Sequence, residues 1–403
     1  MSPGILLAIL LPVFCAGQTE SDIVRPFWGV GGSSARATGL GGAFTGVADD
    51  QSALFYNPAG LGHMTEGEIN SGIEHSNFDS ELNSNIIGNG VGLSVTRLAN
   101  LGMAMPVIGT KFTWAAGYNL VHSFERSKEY TGLHPYPLED SAGVMPDLVE
   151  TLDTRYEDGH IGSYSLGFGY QVSPKFAVGA ALDFIVGNRS YTDNIDFEEE
   201  NLVDFLITDT EYRAFDLSLG ILLAPITDWR IGLLLRTPQN VTFKESANEN
   251  NNEDKAEYSA RGSFYFRLGT SYTTGPLLIA ADISWYDYSQ IKFESGFYDG
   301  DIPYDPVVNG TFRNDYEGVL GYAVGGEYLL PFANAKLRGG YRFTPHIRND
   351  NGADGARAIA IGFSALLVPQ LKIDMTYSRT DWSRSADENW LVSGLTVNLL
   401  LRL

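Results

Sequence analysis

The sequence predicts an all-β protein, a 14-stranded antiparallel transmembrane β-barrel with an N-terminal plug, or hatch, inside the lumen. Three observations predict it: an export signal with no membrane helix behind it, alternating segments joined by connections that are short and long in turn, and a glycine-rich run that cannot fold alone. The expected division is a signal peptide at 1–17, a plug at 18–66 and the barrel at 67–403.

Ile5 to Phe14 form an apolar core of about ten residues, followed by the small set Cys15-Ala16-Gly17 that suits cleavage before Gln18. Cys15 is the only cysteine, so the expected mature chain has no disulfide, thiolate metal site or cysteine nucleophile. No other stretch approaches the roughly 20 apolar residues of a membrane helix. Export without a helix leaves a soluble exported protein or an outer-membrane barrel.

Behind the leader, Ser34 to Gly62 read SARATGLGGAFTGVADDQSALFYNPAGLG. Each interior glycine costs a helix roughly 1 kcal/mol against alanine, so Gly39, Gly41 and Gly42 point to tightly turning backbone. Asp49 and Asp50 can cap a short helix through Ser52 to Tyr56, which ends at Asn57 because Pro58 disfavours helical geometry before it. Leu40, Phe44, Val47, Leu54, Phe55 and Leu61 are too few to make a domain and must pack inside something else.

The container follows from the remaining residues. Short turns are expected at 173–175, 225–228, 273–276, 331–335 and 368–370 and near 100–110. Long connections are expected at 78–88, 126–158, 191–210, 247–256, 295–314, 346–356 and 380–388. Six inner turns and seven outer loops make fourteen strands. Phe176, Val178, Ala180, Leu182, Phe184 and Val186 share one face opposite Gly179, Ala181 and Asp183, as one lipid-facing and one lumenal face require. Leu395, Val397, Leu399 and Leu401 similarly oppose Thr396, Asn398 and Arg402. Trp285, Tyr286 and Tyr288 read as part of an interfacial aromatic girdle.

Charge follows the same geometry. The chain carries 49 acidic and 27 basic residues, a net −22, and the long connections hold about 28 of the former against about 7 of the latter. Such a surface repels nucleic acid, while divalent cations can bridge it to lipopolysaccharide phosphates. Asp193 to Glu200 and Glu249 to Asp254 lack calcium-loop spacing and read as solvated acidic surface. No Gly-x-Ser-x-Gly is present, and His63, His75, His122, His134, His160 and His346 lack metal-ligand spacing. No catalytic residue, metal or cofactor is expected.

Strand parity turns Arg230 and Arg236 inward opposite Ile231, Leu233 and Leu235. It likewise turns Arg261 and Arg267 inward opposite Phe264, Phe266 and Leu268, and Lys336, Arg338 and Arg342 inward opposite Leu337, Tyr341 and Phe343. These seven lumenal cations have Asp282 and Glu327 as nearby partners. They can serve to pair with those carboxylates, or form an anion site for a carboxylate head with apolar side chains along its tail. Lumen-facing Gly179, Gly187, Gly321 and Gly325 allow a kink or a close approach of the plug.

Gly39-Leu40-Gly41-Gly42-Ala43-Phe44-Thr45-Gly46, the pair Asp49-Asp50 and Asn57-Pro58-Ala59, followed by fourteen strands, resemble the FadL family of outer-membrane transporters of long-chain fatty acids and other hydrophobic compounds. The later segments Trp229 to Leu235, Phe266 to Tyr272, Ala281 to Trp285 and Leu337 to Arg342 extend the likeness over most of the mature chain. The resemblance implies a monomer in the outer membrane, a hatch marked by Gly39, Gly41, Gly42, Asn57, Pro58 and Ala59, a ligand held in the lumen, and release by hatch movement, including sideways through a kinked strand. Ser34 to Ala43, Ala48-Asp49-Asp50 and Asn57 to Leu61 also resemble PorV-type barrels, which implies instead a partner and shuttle protein of type IX secretion.

Overall fold

The computed structural model describes residues 23–27, 33–82, 88–90, 92–136, 147–197, 202–299, 302–348, 355–385 and 388–403. The expected leader at 1–17 lies outside the described residues.

Fourteen strands form one antiparallel meander. They are β1 Glu68–Leu82, β2 Leu93–Pro106, β3 Phe112–Ser123, β4 Asp147–Ser173, β5 Phe176–Phe197, β6 Leu202–Ile226 and β7 Trp229–Arg236 with an upper piece Asn240–Glu249. The meander continues through β8 Asn252–Arg261 with a lower piece Tyr265–Thr274, β9 Leu277–Asp287, β10 Gly318–Leu330, β11 Ala335–Thr344, β12 Ala356–Val368, β13 Leu371–Ser385 and β14 Glu388–Arg402. Pairing of β14 with β1, from Glu68↔Arg402 to Leu82↔Glu388, closes the barrel. All six expected short turns fall between strands, at 107–111, 174–175, 227–228, 275–276, 331–334 and 369–370. They share one end of the barrel with Glu68 and Leu403, here the inner end.

Alternation builds the wall. Along β5, Leu182, Phe184 and Val186 are exposed while Ala181, Asp183 and Ile185 are buried; along β14, Leu395, Leu399 and Leu401 are exposed while Thr396 and Asn398 are buried. An apolar belt outside and polar side chains inside invert a soluble protein, as a lipid solvent demands.

Four of the expected outer loops, at 126–158, 191–210, 247–256 and 380–388, are instead largely paired strands among the described residues. β4 has 27 residues, β5 22 and β6 25, against the roughly 9–11 that cross a bilayer, so these strands continue well beyond it. Arg126–Tyr136 pairs with the top of β4, and Asn240–Glu249 pairs with Asn252–Arg261 across a turn in which Asn250 and Asn251 take φ of 49° and 71°. The Asn-Asn pair supplies the left-handed geometry of a tight hairpin. Acidic composition reads as loop, yet ladder hydrogen bonds hold charged strands together in water. The connection from β9 to β10 carries a helix, Tyr304–Asp315.

β7, β8 and β9 break at one level, at Thr237–Gln239, Gly262–Phe264 and the 3₁₀ turn Tyr288–Gln290. Pro238 cannot donate to a ladder, and the breaks in β7 and β8 reverse inward parity: Arg230, Gly232, Leu234 and Arg236 face in below the break, Val241, Phe243 and Glu245 above it.

Candidate functional site

Residues 33–63 pack against residues of the strands, among them Asn398, Asp282 and Ile221. α1 Ala35–Gly39, α2 Ala53–Tyr56 and the 3₁₀ turn Pro58–His63 are short, as the glycines require. Leu40, Phe44, Val47, Leu54, Phe55 and Leu61 are each at most 3% exposed, worth roughly 1.5–3 kcal/mol per side chain. Asp50 Oδ1 accepts from the Ser52 amide at 3.0 Å just ahead of α2, whose N-cap Ser52 makes no side-chain cap bond, and Asp49, also expected as a cap, pairs with Arg36.

The segment's backbone rests directly on wall glycines. A Cβ at Gly179 would come within 2.3 Å of the Pro58 carbonyl carbon, one at Gly325 within 2.4 Å of the Leu40 oxygen, and one at Gly340 within 2.1 Å of the Gly41 nitrogen. Gly187 and Gly321 meet other wall atoms instead, His160 O and Ser284 Oγ. Gly41 and Gly42 need glycine for their own backbone, with φ of 68° and 87°. Gly39 ends α1 against Thr376 and Arg338.

Asn57 is fully buried, donating from Nδ2 to Thr45 O and to Ile221 O on β6, each at 3.0 Å, while Oδ1 accepts from the Ala59 amide at 3.2 Å. It therefore joins both arms of the segment to the wall. Pro58 opens the 3₁₀ turn, where no amide hydrogen is needed, and Ala59 packs against Ala177 and Leu222.

Of the seven predicted cations, five bind this segment or wall carboxylates. Arg230 Nη1 donates to Val47 O at 3.2 Å and Arg236 Nη2 to Phe55 O at 3.0 Å. Arg338 is saturated by Glu327 at 2.6 Å, Asp374 at 2.8 Å and Ser364 at 2.9 Å, and Lys336 reaches Glu327 at 2.6 Å. Arg267 lies over the rings of Tyr56 and Tyr265, 6.0 and 5.4 Å from their centroids. Arg342 approaches Gly42. Arg261 corrects the expectation, because the break at Gly262–Phe264 reverses parity and leaves it exposed opposite Lys292. Asp282 has Arg267 as its charged partner, as expected, and also accepts from the amides of Phe44 and Thr45 and the Thr45 hydroxyl.

Arg36 on α1 completes the network through Asp50 at 3.0 Å, Glu327 at 3.1 Å and Asp49. Burial lowers the Arg36 pKa and raises that of Asp49, but their pairing outweighs burial, leaving Arg36 above and Asp49 below the ordinary values.

Two further constellations were not expected. Asn70, Asn100, Asn119 and Asn398, on β1, β2, β3 and β14, clamp the segment's start: Asn398 accepts from the Ala35 amide at 2.8 Å, Asn119 from the Ser33 amide at 2.7 Å, and Asn100 donates to Ser33 O at 2.9 Å. Their inward parity was legible, their convergence was not. At the same level the ladder between β2 and β3 ends: among the described residues it runs only from Pro106↔Thr113 to Asn100↔Asn119. β3 shifts register there against β4, and Arg97 spans the interval to Ser123, Glu125 and Asp158.

The second is a packed aromatic cluster in the outer half. Phe124, Tyr212, Phe243, Tyr258 and Phe293 form a continuous wall with successive ring centroids 5.5, 5.4, 4.7 and 5.4 Å apart. Tyr265, Tyr286 and Tyr288 continue it. Tyr286 and Tyr288 are buried here rather than in a lipid girdle, since Tyr286 has the opposite parity to exposed Trp285. The helix α3, Tyr304–Asp315, adds Val308 and Phe312 to the cluster, and Asn309 both donates to and accepts from the Phe293 backbone at 2.8 and 2.7 Å. Ile23, Val24 and Phe27 lie in the same cluster. No group of three metal-ligating side chains occurs among the described residues.

No protein-family model matches this chain, and no curated protein matches it in sequence. Solved structures do. The Ralstonia pickettii toluene transporter TbuX aligns at a TM-score of 0.63 and 15% identity, over 94% of this chain and 100% of that one. The Pseudomonas putida toluene transporter TodX aligns at 0.59 and 14%, over 93% and 98%. The monoaromatic hydrocarbon channel CymD aligns at 0.59 and 14%, over 95% and 98%. This chain has the fold of those channels. With an apolar outer belt and a closed wall, it is a bacterial outer-membrane β-barrel. No helix among the described residues is long and apolar enough to cross a membrane.

Proposed function

We propose that the protein is an outer-membrane uptake channel for small, uncharged hydrophobic molecules, with aromatic compounds foremost. The observation that carries this reading is the aromatic cluster of the outer half, whose rings come from different strands and from α3 and offer an apolar lining. Ring faces and edges there reward a planar apolar guest beyond simple area burial. The shared fold with channels described as toluene and monoaromatic hydrocarbon transporters supports the same reading. A carboxylate-headed fatty acid fits less well, because Arg236, Arg338 and Lys336 already bind the segment's carbonyl or wall carboxylates.

In this reading a guest waits at the aromatic cluster above Ser33–Glu66, which serves as the hatch. The hatch is fastened by Arg36, Asn57 and the asparagine clamp. Its loosening at Ser33 frees the edges of β2 and β3, where the ladder is already interrupted, and offers a sideways exit into the membrane.

Replacing Phe243 and Tyr258 together by aspartate places charge in the cluster, and toluene uptake by cells carrying that variant should fall at least about tenfold. Unchanged uptake with the variant correctly inserted sinks the reading.

A further inference from the structure

The break across β7, β8 and β9 also marks the outer edge of the lipid belt. Below it the three strands hold 8, 10 and 11 residues, Trp229–Arg236, Tyr265–Thr274 and Leu277–Asp287, close to the roughly 9–11 that cross a bilayer. Phe264, Phe266 and Trp285 are exposed on the outer face just beneath the break, with the Phe266 ring 6.3 and 6.1 Å from the other two. Above it the outward positions turn polar.

The charged pair nearest the membrane on that outer face is Arg261 and Lys292, directly opposite each other in the ladder between Asn252–Arg261 and Lys292–Glu294. Both are exposed, and neither has an ion-pair partner among the described residues, whereas Glu257 is taken by Lys244 at 3.4 Å. Like charges set directly opposite in a ladder repel. The reversed parity at Gly262–Phe264 is what brings Arg261 to this face. One row farther out, Thr242, Ser259 and Glu294 line an open groove of about 410 Å³, which Asn240 and Glu257 extend.

From the membrane outward the order is therefore rings, two cations, then hydroxyls and carboxylates. We propose that this face binds one lipopolysaccharide molecule of the outer leaflet. A lipid A phosphate sits on Arg261 and Lys292, its sugar occupies the groove and acyl chains lie along Phe264 and Phe266. The guanidinium can donate to two phosphate oxygens in parallel while the ammonium takes a third, which offsets the repulsion between the two side chains. Hydroxyls and carboxylates hydrogen-bond sugar hydroxyls, so the groove favours a phosphorylated glycolipid over a phospholipid. The contact is direct and needs no divalent cation, unlike bridging through the acidic surface. It is independent of what occupies the lumen.

The test is native mass spectrometry of the purified full-length barrel in detergent with EDTA, titrated with diphosphoryl lipid A or with phosphatidylglycerol. The parent should hold lipid A, and the chain with Arg261→Ser and Lys292→Ser should bind it at least about tenfold more weakly. Arg261→Lys with Lys292→Arg keeps both charges and should retain most of the affinity. Lys111→Ser with Lys175→Ser, which removes the same charge at the inner turns, should leave it unchanged. Heat-modifiable electrophoretic mobility confirms that each barrel is folded. Equal lipid A binding by the parent and the Arg261→Ser, Lys292→Ser chain overturns the site, as does loss of parent binding in EDTA. Phosphatidylglycerol bound by the parent as tightly as lipid A overturns the glycolipid assignment.

Discussion

The inner and outer halves of the lumen enclose their contents by opposite means. In the inner half the wall is glycine, asparagine and paired charge, and the enclosed segment lies backbone against backbone, with Asn57, Arg36, Glu327 and Asp282 tying it down. In the outer half the wall is aromatic, and its contents are side chains held by burial. Directional polar contacts define one position and fail steeply when one partner is removed. Apolar contacts tolerate exchange of one ring for another. One half is suited to holding a fixed part of the chain, the other to a replaceable guest.

The sharpest way to break that contrast is at Glu327, where Arg36, Arg338 and Lys336 converge. Glu327→Ala leaves buried Arg36 and Arg338 only partly compensated, by Asp49, Asp50 and Asp374, and should cost about 3 kcal/mol of segment docking. In planar bilayers this should appear as raised ion conductance, with toluene affinity little changed. Gly340→Val should cost about 1–3 kcal/mol or more by overpacking, because its side chain would enter the Leu40–Gly41 backbone. Protease cleavage between Ser33 and Glu66 measures the displacement. Asn57→Ala removes two donations to carbonyls and the Ala59 contact, about 1–3 kcal/mol, and should raise conductance less than Glu327→Ala.

In the outer half, Tyr258→Leu keeps the volume apolar but loses ring contacts with Phe243 and Phe293, worth about 0.5–1.5 kcal/mol. Toluene affinity should weaken by up to about tenfold with conductance unchanged. The smallest effect is the response to acid. Asp49 titrates below its ordinary value when docked, so its contribution is fully present above about pH 3.9 and is lost as pH falls through the docked value. Protease sensitivity of the segment should stay flat from neutral pH to about 4 through this pair and rise only below. An increase between pH 7 and 5 that Asp49→Asn abolishes would contradict this assignment.

Much of this architecture was legible in the residues. Leu182, Phe184 and Val186 against Ala181 and Asp183 reveal a two-faced strand, because alternation is set by the local geometry of extended backbone. The turns at 174–175 and 227–228 were found from proline and charge next to apolar runs. The partnership of Glu327 with Arg338 follows from inward parity on neighbouring strands. Arg261 shows the limit, since one irregularity at Gly262–Phe264 reverses parity beyond it and no local signal in Phe264 or Phe266 says so. Tyr286 and Tyr288 show it again, because a tyrosine near a strand end suits a lipid interface and a lumenal cluster equally.

The sequence by itself determined a closed alternating wall, an acidic outer surface and an N-terminal run that needs a container. Each depends on residues close in the chain or on composition alone. Only the tertiary structure decided what meets inside. Phe124, Tyr212, Phe243 and Phe293 lie on four different stretches of chain, and strand register, the breaks in β7 to β9 and the return of Ile23–Phe27 into the lumen set them in one cluster.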